Sequence, residues 1–399
     1  MRRRAHCAKR DNLKEVQLRA FRFESLTLPP EADAMRRKVR VFLEDERANR
    51  RYAAHRTSWS TFDPEFSRRA AKAGFIGMTW PRQYGGGEYS NLERFVVTEE
   101  MLAAGAPGGA HWIADRQSGP QILKHGSERA KELILPRIAS GECYFGIGMS
   151  EPDSGSDLAA ARTRADRVED GWIINGAKIW TSNAHRVHYL IVLARTGPPG
   201  QDRHAGLSQF IVDTTSKGIE IRPIMNLSGG HEFNEVFFKD CFVPDDMMIG
   251  KPGEGWTHVT GELAFERAGP DRLMSDIRLL VELINKVGHE PNERQAVEIG
   301  RLAVHFATLR RMSSSIAGLL EQGGTPVTEA ALVKDVGTAF EREVPEIVRK
   351  LLPMEASLDD EDEYSQGLAH VLLHAPSFTI RGGTPEILRG MIARSLGLR

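Results

Sequence analysis

Four short stretches of this 399-residue chain hold side chains whose types and spacing suit chemistry. Residues 148–160 read GMSEPDSGSDLAA, where Pro152, Asp153, Ser154, Gly155 and Ser156 make a turn offering backbone N–H groups and hydroxyls. Residues 178–184 read KIWTSNA and place one aromatic, Trp180, beside two hydroxyls, Thr181 and Ser182. Residues 255–270 read GWTHVTGELAFERAGP. On a helix turning about 100° per residue, Trp256, Val259 and Leu263 form an apolar stripe, and Glu266 falls within roughly 60° of its centre. Glu262 lies farther off. An acid on a buried face is costly unless it is paired or used. Glu266 is therefore a proton acceptor or the partner of an arginine such as Arg267 or Arg272. The last stretch, TIRGGTPEILRG at 379–390, is a glycine turn opening a short helix.

Three zones position these residues. From about Pro30 to Ser140 the apolar spacing is helical, as in residues 31–51, 64–75 and 92–105, with the turn-rich WPRQYGGGEYS (80–90) between. From about Cys143 to Met248 short alternating runs predict strands over 171–182, 188–196, 207–215, 219–224 and 234–244, a small barrel or sandwich. Helical spacing returns from Gly253, over 255–269, about 293–322 and 328–352. Pro345 is expected to kink or break the last of these. The acidic run at 359–363 predicts a solvated loop. The order is helices, strands, helices, an α+β chain. The boundaries expected are a basic tail over 1–22, a helical domain over 23–142, a β domain over 143–250 and a second helical domain over 251–399.

Composition excludes several classes. Formal net charge is −1, which gives no electrostatic footprint for nucleic acid. The longest apolar run, Tyr189 to Ala194, is too short to span a membrane. Cys7, Cys143 and Cys241 are odd in number and widely spaced, which fits a reducing compartment and gives no zinc spacing. A cytoplasmic protein is expected. His185 and His188 form an H-x-x-H without a third ligand nearby, so a surface pair flanking a strand is expected, and no metal. The first twenty residues hold seven Lys/Arg and two Asp/Glu without an apolar core, unlike a secretory signal.

GMSEPDSGSDLAA followed by KIWTSNA, inside a helices–strands–helices chain, resembles the acyl-CoA dehydrogenase family over nearly the whole length. The resemblance implies a helical N-terminal domain, a middle β-barrel and a C-terminal four-helix bundle, with FAD between barrel and bundle. It implies cofactor contacts from Ile147, Met149, Ser150, Ser156, Trp180, Thr181 and Ser182, with Trp180 against the flavin ring and Ser182 at its N5. It also implies adenine-side contacts from Thr384 and Glu386, and acyl-CoA contacts from Ser156, Arg267, Arg381 and Gly383. The implied reaction is α,β-dehydrogenation of an acyl-CoA to the trans-2-enoyl-CoA, with electrons passed to an electron-transfer flavoprotein.

The resemblance places the catalytic carboxylate in one of two positions. One is the residue before G-T in the C-terminal turn, here Gly382, whose N–H could still serve the thioester oxygen. The other precedes an arginine on the first helix of the C-terminal domain, here Glu266. Two family motifs are missing. No R-x-x-F-G occurs in 271–288, and no Q-x-x-G-G-x-G occurs in 363–378. Within the family these losses accompany heterotetramers built with a second, related chain. The quaternary expectations are therefore a homodimer, a homotetramer or such a heterotetramer. Arg381 stands where the family has an aromatic, and either meets a polar acyl group or faces solvent. Two further readings remain: a non-catalytic partner subunit, and a flavin oxidase or monooxygenase on the same fold.

Overall fold

The computed structural model describes residues 21–398 except 54–58, 199 and 268, and omits the side chains of 262–266 as well. Five helices open it: α1 (Pro30–Ala48), α2 (Pro64–Lys72), α3 (Asn91–Ala103), α4 (Gly119–His125) and α5 (Glu128–Ala139). Their starts are written in the sequence. Asp63 accepts from Phe66 N ahead of Pro64, Ser90 and Glu93 close a reciprocal capping box, and Ser127 accepts from Ala130 N. Helix α1 buries Ala32, Met35, Val39 and Leu43, the spacing of one face, against a core that includes Phe66, Phe75 and Val96.

The middle of the chain forms eight strands: β1 (Phe145–Gly148), β2 (Arg164–Val168), β3 (Gly171–Lys178), β4 (Tyr189–Arg195), β5 (Leu207–Asp213), β6 (Ile219–Ile224), β7 (Phe233–Pro244) and β8 (Met248–Ile249). They make one mixed sheet with the path β6-β7-β3-β2-β4-β5-β8, and β1 pairs parallel to β4. The path ends at β6 on one side and β8 on the other. The core between the strands holds Trp172, Ile174, Leu190, Phe210, Val236 and Phe238.

Six helices follow: α6 (Gly255–Glu266), α7 (Ile277–Val287), α8 (Glu293–Glu321), α9 (Val327–Val348), α10 (Glu363–Phe378) and α11 (Pro385–Ser395). Helices α7 to α10 pack as four around Leu283, Leu302, Val333, Phe340 and Leu368. Pro345 does not break α9, which runs three residues further. The proline falls in the last turn, where losing one i→i−4 bond costs little continuation. The acidic run is more than a solvated loop, because Asp362 caps α10 through Tyr364 N and Ser365 N and pairs with Lys286 at 2.7 Å. Among the described residues no helix is long and apolar enough to cross a membrane, and no His/Cys/Asp/Glu group could hold a metal. His185 and His188 are half-buried rather than a surface pair: His185 stacks on His231, and His188 Nδ1 accepts from Tyr144 N at 3.1 Å.

Candidate active site

A cavity of about 1890 Å³ lies where the β sheet meets the C-terminal helices. Its first wall is the turn after β1, which contributes Ile147, Met149, Ser150 and Ser156. Glu151 and Ser154 exchange backbone hydrogen bonds of 2.7 and 3.0 Å that close the turn, and Ser154 Oγ donates to Asp157 O at 2.7 Å. Behind it sits a buried ion pair that no motif announced. Lys178 Nζ lies 2.8 Å from Glu151 Oε1 and donates to Met149 O at 3.0 Å. Glu151 also accepts from Arg162 N and Thr163 N at 2.7 and 2.9 Å. Burial opposes the Glu151 charge, but Lys178 and the two N–H groups outweigh it and hold the carboxyl below its usual range. Burial draws the Lys178 ammonium down to about 8. One sequence signal pointed to this lysine: it shares the buried phase of β3 with Trp172 and Ile174.

The end of β3 presents Trp180. Ile179 N donates to Ser150 O at 2.9 Å, Thr181 N donates to Asn234 O at 3.0 Å, and Asn234 Nδ2 returns a bond to Thr181 O at 3.0 Å. Clamped on both sides, Trp180 sits at φ +60, a conformation in which a bulky residue is an outlier. Its indole is 55% exposed on the cavity wall, edge-on to Phe233. Ser182 and Asn183 line the cavity beside it. Thr181 does not: its side chain is buried behind the wall, so any contact it makes with a ligand there is not through its hydroxyl.

The opposite wall comes from the C-terminal helices. Glu266 is the last residue of α6, and its side chain lies outside the described residues. Arg267 follows it, is 2% exposed, lines the cavity and donates from Nε to Gly382 O at 3.2 Å and from Nη1 to Met391 Sδ at 3.2 Å. The buried Lys334 donates to Gly383 O. Gly382 and Gly383 adopt φ +67 and +105, and a Cβ on Gly383 would lie 3.3 Å from Arg267 Nη2. Both glycines are thus required by the turn itself. The structure brings the two alternative base positions, the end of α6 and the C-terminal turn, side by side. Thr384 lines the cavity at the start of α11, whereas Glu386 is exposed and outside the lining, its carboxylate held low by the Thr384 hydroxyl.

Arg381 does not face solvent. Its guanidinium is sandwiched between Trp59 and Phe378 at 4.9 and 4.8 Å, and Nη2 reaches Ser275 Oγ at 2.5 Å, Glu341 Oε2 at 3.2 Å and Asp271 O at 3.3 Å. Burial lowers its pKa, opposed by Glu341.

The cavity exceeds the roughly 300–1,000 Å³ of an ordinary small-molecule site, so it accommodates a large cofactor together with a substrate. An exposed, backbone-strained indole beside serine hydroxyls and backbone groups suits a planar heteroaromatic ring. Three family models match in order: the acyl-CoA dehydrogenase N-terminal domain over residues 29–142, the middle domain over 146–241 and the C-terminal domain over 253–397. The chain belongs to the acyl-CoA dehydrogenase family, FAD-dependent flavoprotein oxidoreductases, and the site fits FAD.

Among its relatives, the acyl-CoA dehydrogenase IpdE1 of Mycobacterium tuberculosis is 34% identical over 84% of this chain and 87% of that protein. Acyl-CoA dehydrogenase FadE34 of the same organism is 33% identical over 84% of this chain, which spans only 46% of that longer protein. Among solved structures, the Tcur3481-Tcur3483 steroid ACAD superposes with a TM-score of 0.82 at 26% identity, covering 94% of this chain and 99% of the other. The ChsE4-ChsE5 complex from Mycobacterium tuberculosis gives 0.79 at 26%, covering 94% and 100%.

Proposed function

We propose that this chain catalyses α,β-dehydrogenation of an acyl-CoA thioester, with Glu266 as the base, releasing a trans-2-enoyl-CoA and passing electrons to an electron-transfer flavoprotein. The observation that carries this reading is the convergence of the α6 C-terminus and the Gly382–Gly383 turn through Arg267. A carboxylate at either position serves the same reacting carbon, and this sequence keeps one only at 266.

FAD, when bound, supplies the hydride acceptor. Ile147, Met149, Ser150, Ser156, Trp180 and Ser182 would hold it against the sheet, with Thr384 toward its other end. Removing the α-proton needs a base at the right distance and donors for the oxygen on which charge develops. Arg267 and Lys334 occupy the carbonyls of Gly382 and Gly383, which fixes the direction of the turn's peptide groups.

A heteromeric assembly is the second reading, favoured by the missing R-x-x-F-G and Q-x-x-G-G-x-G motifs and by the paired chains named in the Tcur3481-Tcur3483 and ChsE4-ChsE5 structures. A homo-oligomer remains its competitor. The test mixes purified flavin-loaded protein anaerobically with a panel of acyl-CoAs while the flavin band is followed, with Glu266→Gln beside it. Bleaching in wild type and not in the variant supports the assignment, and bleaching in both removes Glu266 from the role. Purification without flavin that is regained on co-expression with a second family chain supports the heteromer.

A further inference from the structure

The two segments that meet at the Gly382–Gly383 turn hold each other twice, once from each side. Arg267, after α6, donates to Gly382 O. In return Arg381, the residue before Gly382, donates from Nη2 to Asp271 O at 3.3 Å and to Ser275 Oγ at 2.5 Å, both in the junction between α6 and α7. Ser275 Oγ donates onward to Asp271 O at 3.0 Å, and Ser275 N donates to Glu341 Oε1 at 2.7 Å. Glu341 Oε2 lies 3.2 Å from Arg381 Nη2, so one carboxylate of α9 grips both segments. The Glu341 side chain is 0% exposed and lies outside the cavity lining.

The faces of Arg381 close a ring. Its guanidinium lies on Trp59 at 4.9 Å, and Trp59 packs on Trp112 with ring centroids 5.7 Å apart. Arg116 lies over Trp112 at 5.3 Å, and its Nη1 returns to Asp271 Oδ2 at 2.7 Å. Two cations and two indoles thus join the N-terminal helical domain to the α6–α7 junction and to the C-terminal turn. A buried ion pair adds little stability over apolar packing, but it fixes one arrangement.

We propose that Arg381 and Glu341 are positioning residues. Through the α6–α7 junction they hold the end of α6, which carries Glu266, in one register against the peptide groups of the Gly382–Gly383 turn. Neither needs to touch the reacting atoms. The inference rests on the dehydrogenase reading for the reaction that this geometry serves.

Removing one partner strands a buried charge and can cost the fold, so the first variant is the double one, Arg381→Met with Glu341→Gln, which removes both charges together. Its melting temperature and flavin content are expected to match wild type. Three quantities are read on the flavin-loaded protein. Amide hydrogen exchange of the peptide spanning 379–390 needs no substrate. The dissociation constant of the best-binding enoyl-CoA of a panel is read from perturbation of the flavin absorption. The rate of flavin reduction is read at saturating saturated thioester. The double variant is expected to exchange faster in the turn, to bind the enoyl-CoA unchanged and to reduce flavin on the order of 10–100-fold more slowly, the cost of a displacement of about 1 Å. Glu341→Gln alone, at a residue outside the cavity lining, is expected to move exchange and rate in the same directions, and it decides by the same readings where the double variant loses flavin. Unchanged exchange or an unchanged rate overturns the proposal. So does enoyl-CoA affinity that weakens in proportion to the rate, which would make Arg381 a binding residue of the wall. Equally fast reduction by wild type and variant sinks the proposal and leaves the dehydrogenase standing. Faster turn exchange in the variant, with a wild type that no acyl-CoA reduces, does the reverse.

Discussion

Arg267 Nε donates to the carbonyl of Gly382 at 3.2 Å, tying the residue after α6 to the glycine pair that opens α11. The two ends are 115 residues apart in sequence, and the bond fixes one relative to the other. Arg267→Ala removes a buried bond from a charged donor, worth about 1.5–3 kcal/mol, and leaves the Gly382 carbonyl with one partner fewer. The melting temperature is expected to fall accordingly, and the rate of flavin reduction to fall further than thermal stability alone accounts for. Arg267→Lys is expected to restore the charge but not the geometry, since an ammonium lacks the planar fork. Full recovery by lysine would show that charge alone matters.

Glu266→Gln is expected to slow flavin reduction by on the order of 10²–10⁴, the usual worth of a general base, with flavin content unchanged. Moving the acid to the other position, as Glu266→Gln with Gly382→Glu, is expected to rescue little. Residue 382 sits at φ +67, where a side chain other than glycine is strained. Stopped-flow reduction under anaerobic conditions separates the two, and a double variant as fast as wild type would contradict the account of the turn.

Much of this site was legible in the sequence because it depends on local pattern. GMSEPDSGSDLAA and KIWTSNA are contiguous, and Ile147, Met149, Ser150, Ser156, Trp180 and Ser182 all reach the cavity. Glu266 closes α6, the helix whose end meets the C-terminal turn through Arg267. What was not legible is assembled from distant segments. Arg381, Ser275 and Glu341 come together across separations of 40 to 106 residues, so no spacing rule connects them. Thr181 and Glu386 fall outside the cavity lining for a local reason. Motif neighbours share a sequence window, but alternate residues of an extended segment face opposite ways, and the first turn of a helix exposes one side. Pro345 misled because its consequence depends on how near the helix end it lies.

Lys178 and Glu151 pin the cofactor-side turn from behind, out of reach of any ligand chemistry. Lys178→Met leaves Glu151 with two backbone partners but no counter-charge in a buried setting, a change worth about 3–5 kcal/mol. Loss of bound flavin is expected before loss of fold, read as released flavin fluorescence on a thermal ramp ahead of the far-ultraviolet circular dichroism transition. The double variant Lys178→Met with Glu151→Gln is expected to recover stability but not flavin retention. If Lys178→Met retains flavin up to the unfolding transition, the pair has no part in shaping the turn.

Trp180 carries strain on the order of 1–3 kcal/mol at φ +60, and its indole is too exposed to repay it through burial. Trp180→Gly is expected to leave the flavin-free protein as stable as before or more so, while weakening flavin binding. Calorimetry of the flavin-free forms and flavin titration give the two numbers, and a large loss of stability without flavin would mean that the tryptophan is there for the fold.

His111 gives the chain an acid limit. It is fully enclosed beside Ser67, 2.8 Å from its hydroxyl, and burial lowers its pKa to about 4 against 6.5 for a free histidine, with Asp115 opposing. Because the folded form holds its proton less tightly, the unfolded chain binds more protons between these values. Stability from this group is therefore complete above pH 6.5 and drains as pH falls toward 4. The difference of about 2.5 pKa units corresponds to about 3 kcal/mol. Denaturant midpoints measured from pH 7 to pH 4 are expected to fall through this window. His111→Gln is expected to be less stable at pH 7, having lost a well-fitted ring, and to show a shallower fall. An equally steep fall in the variant would assign the acid sensitivity to groups other than His111.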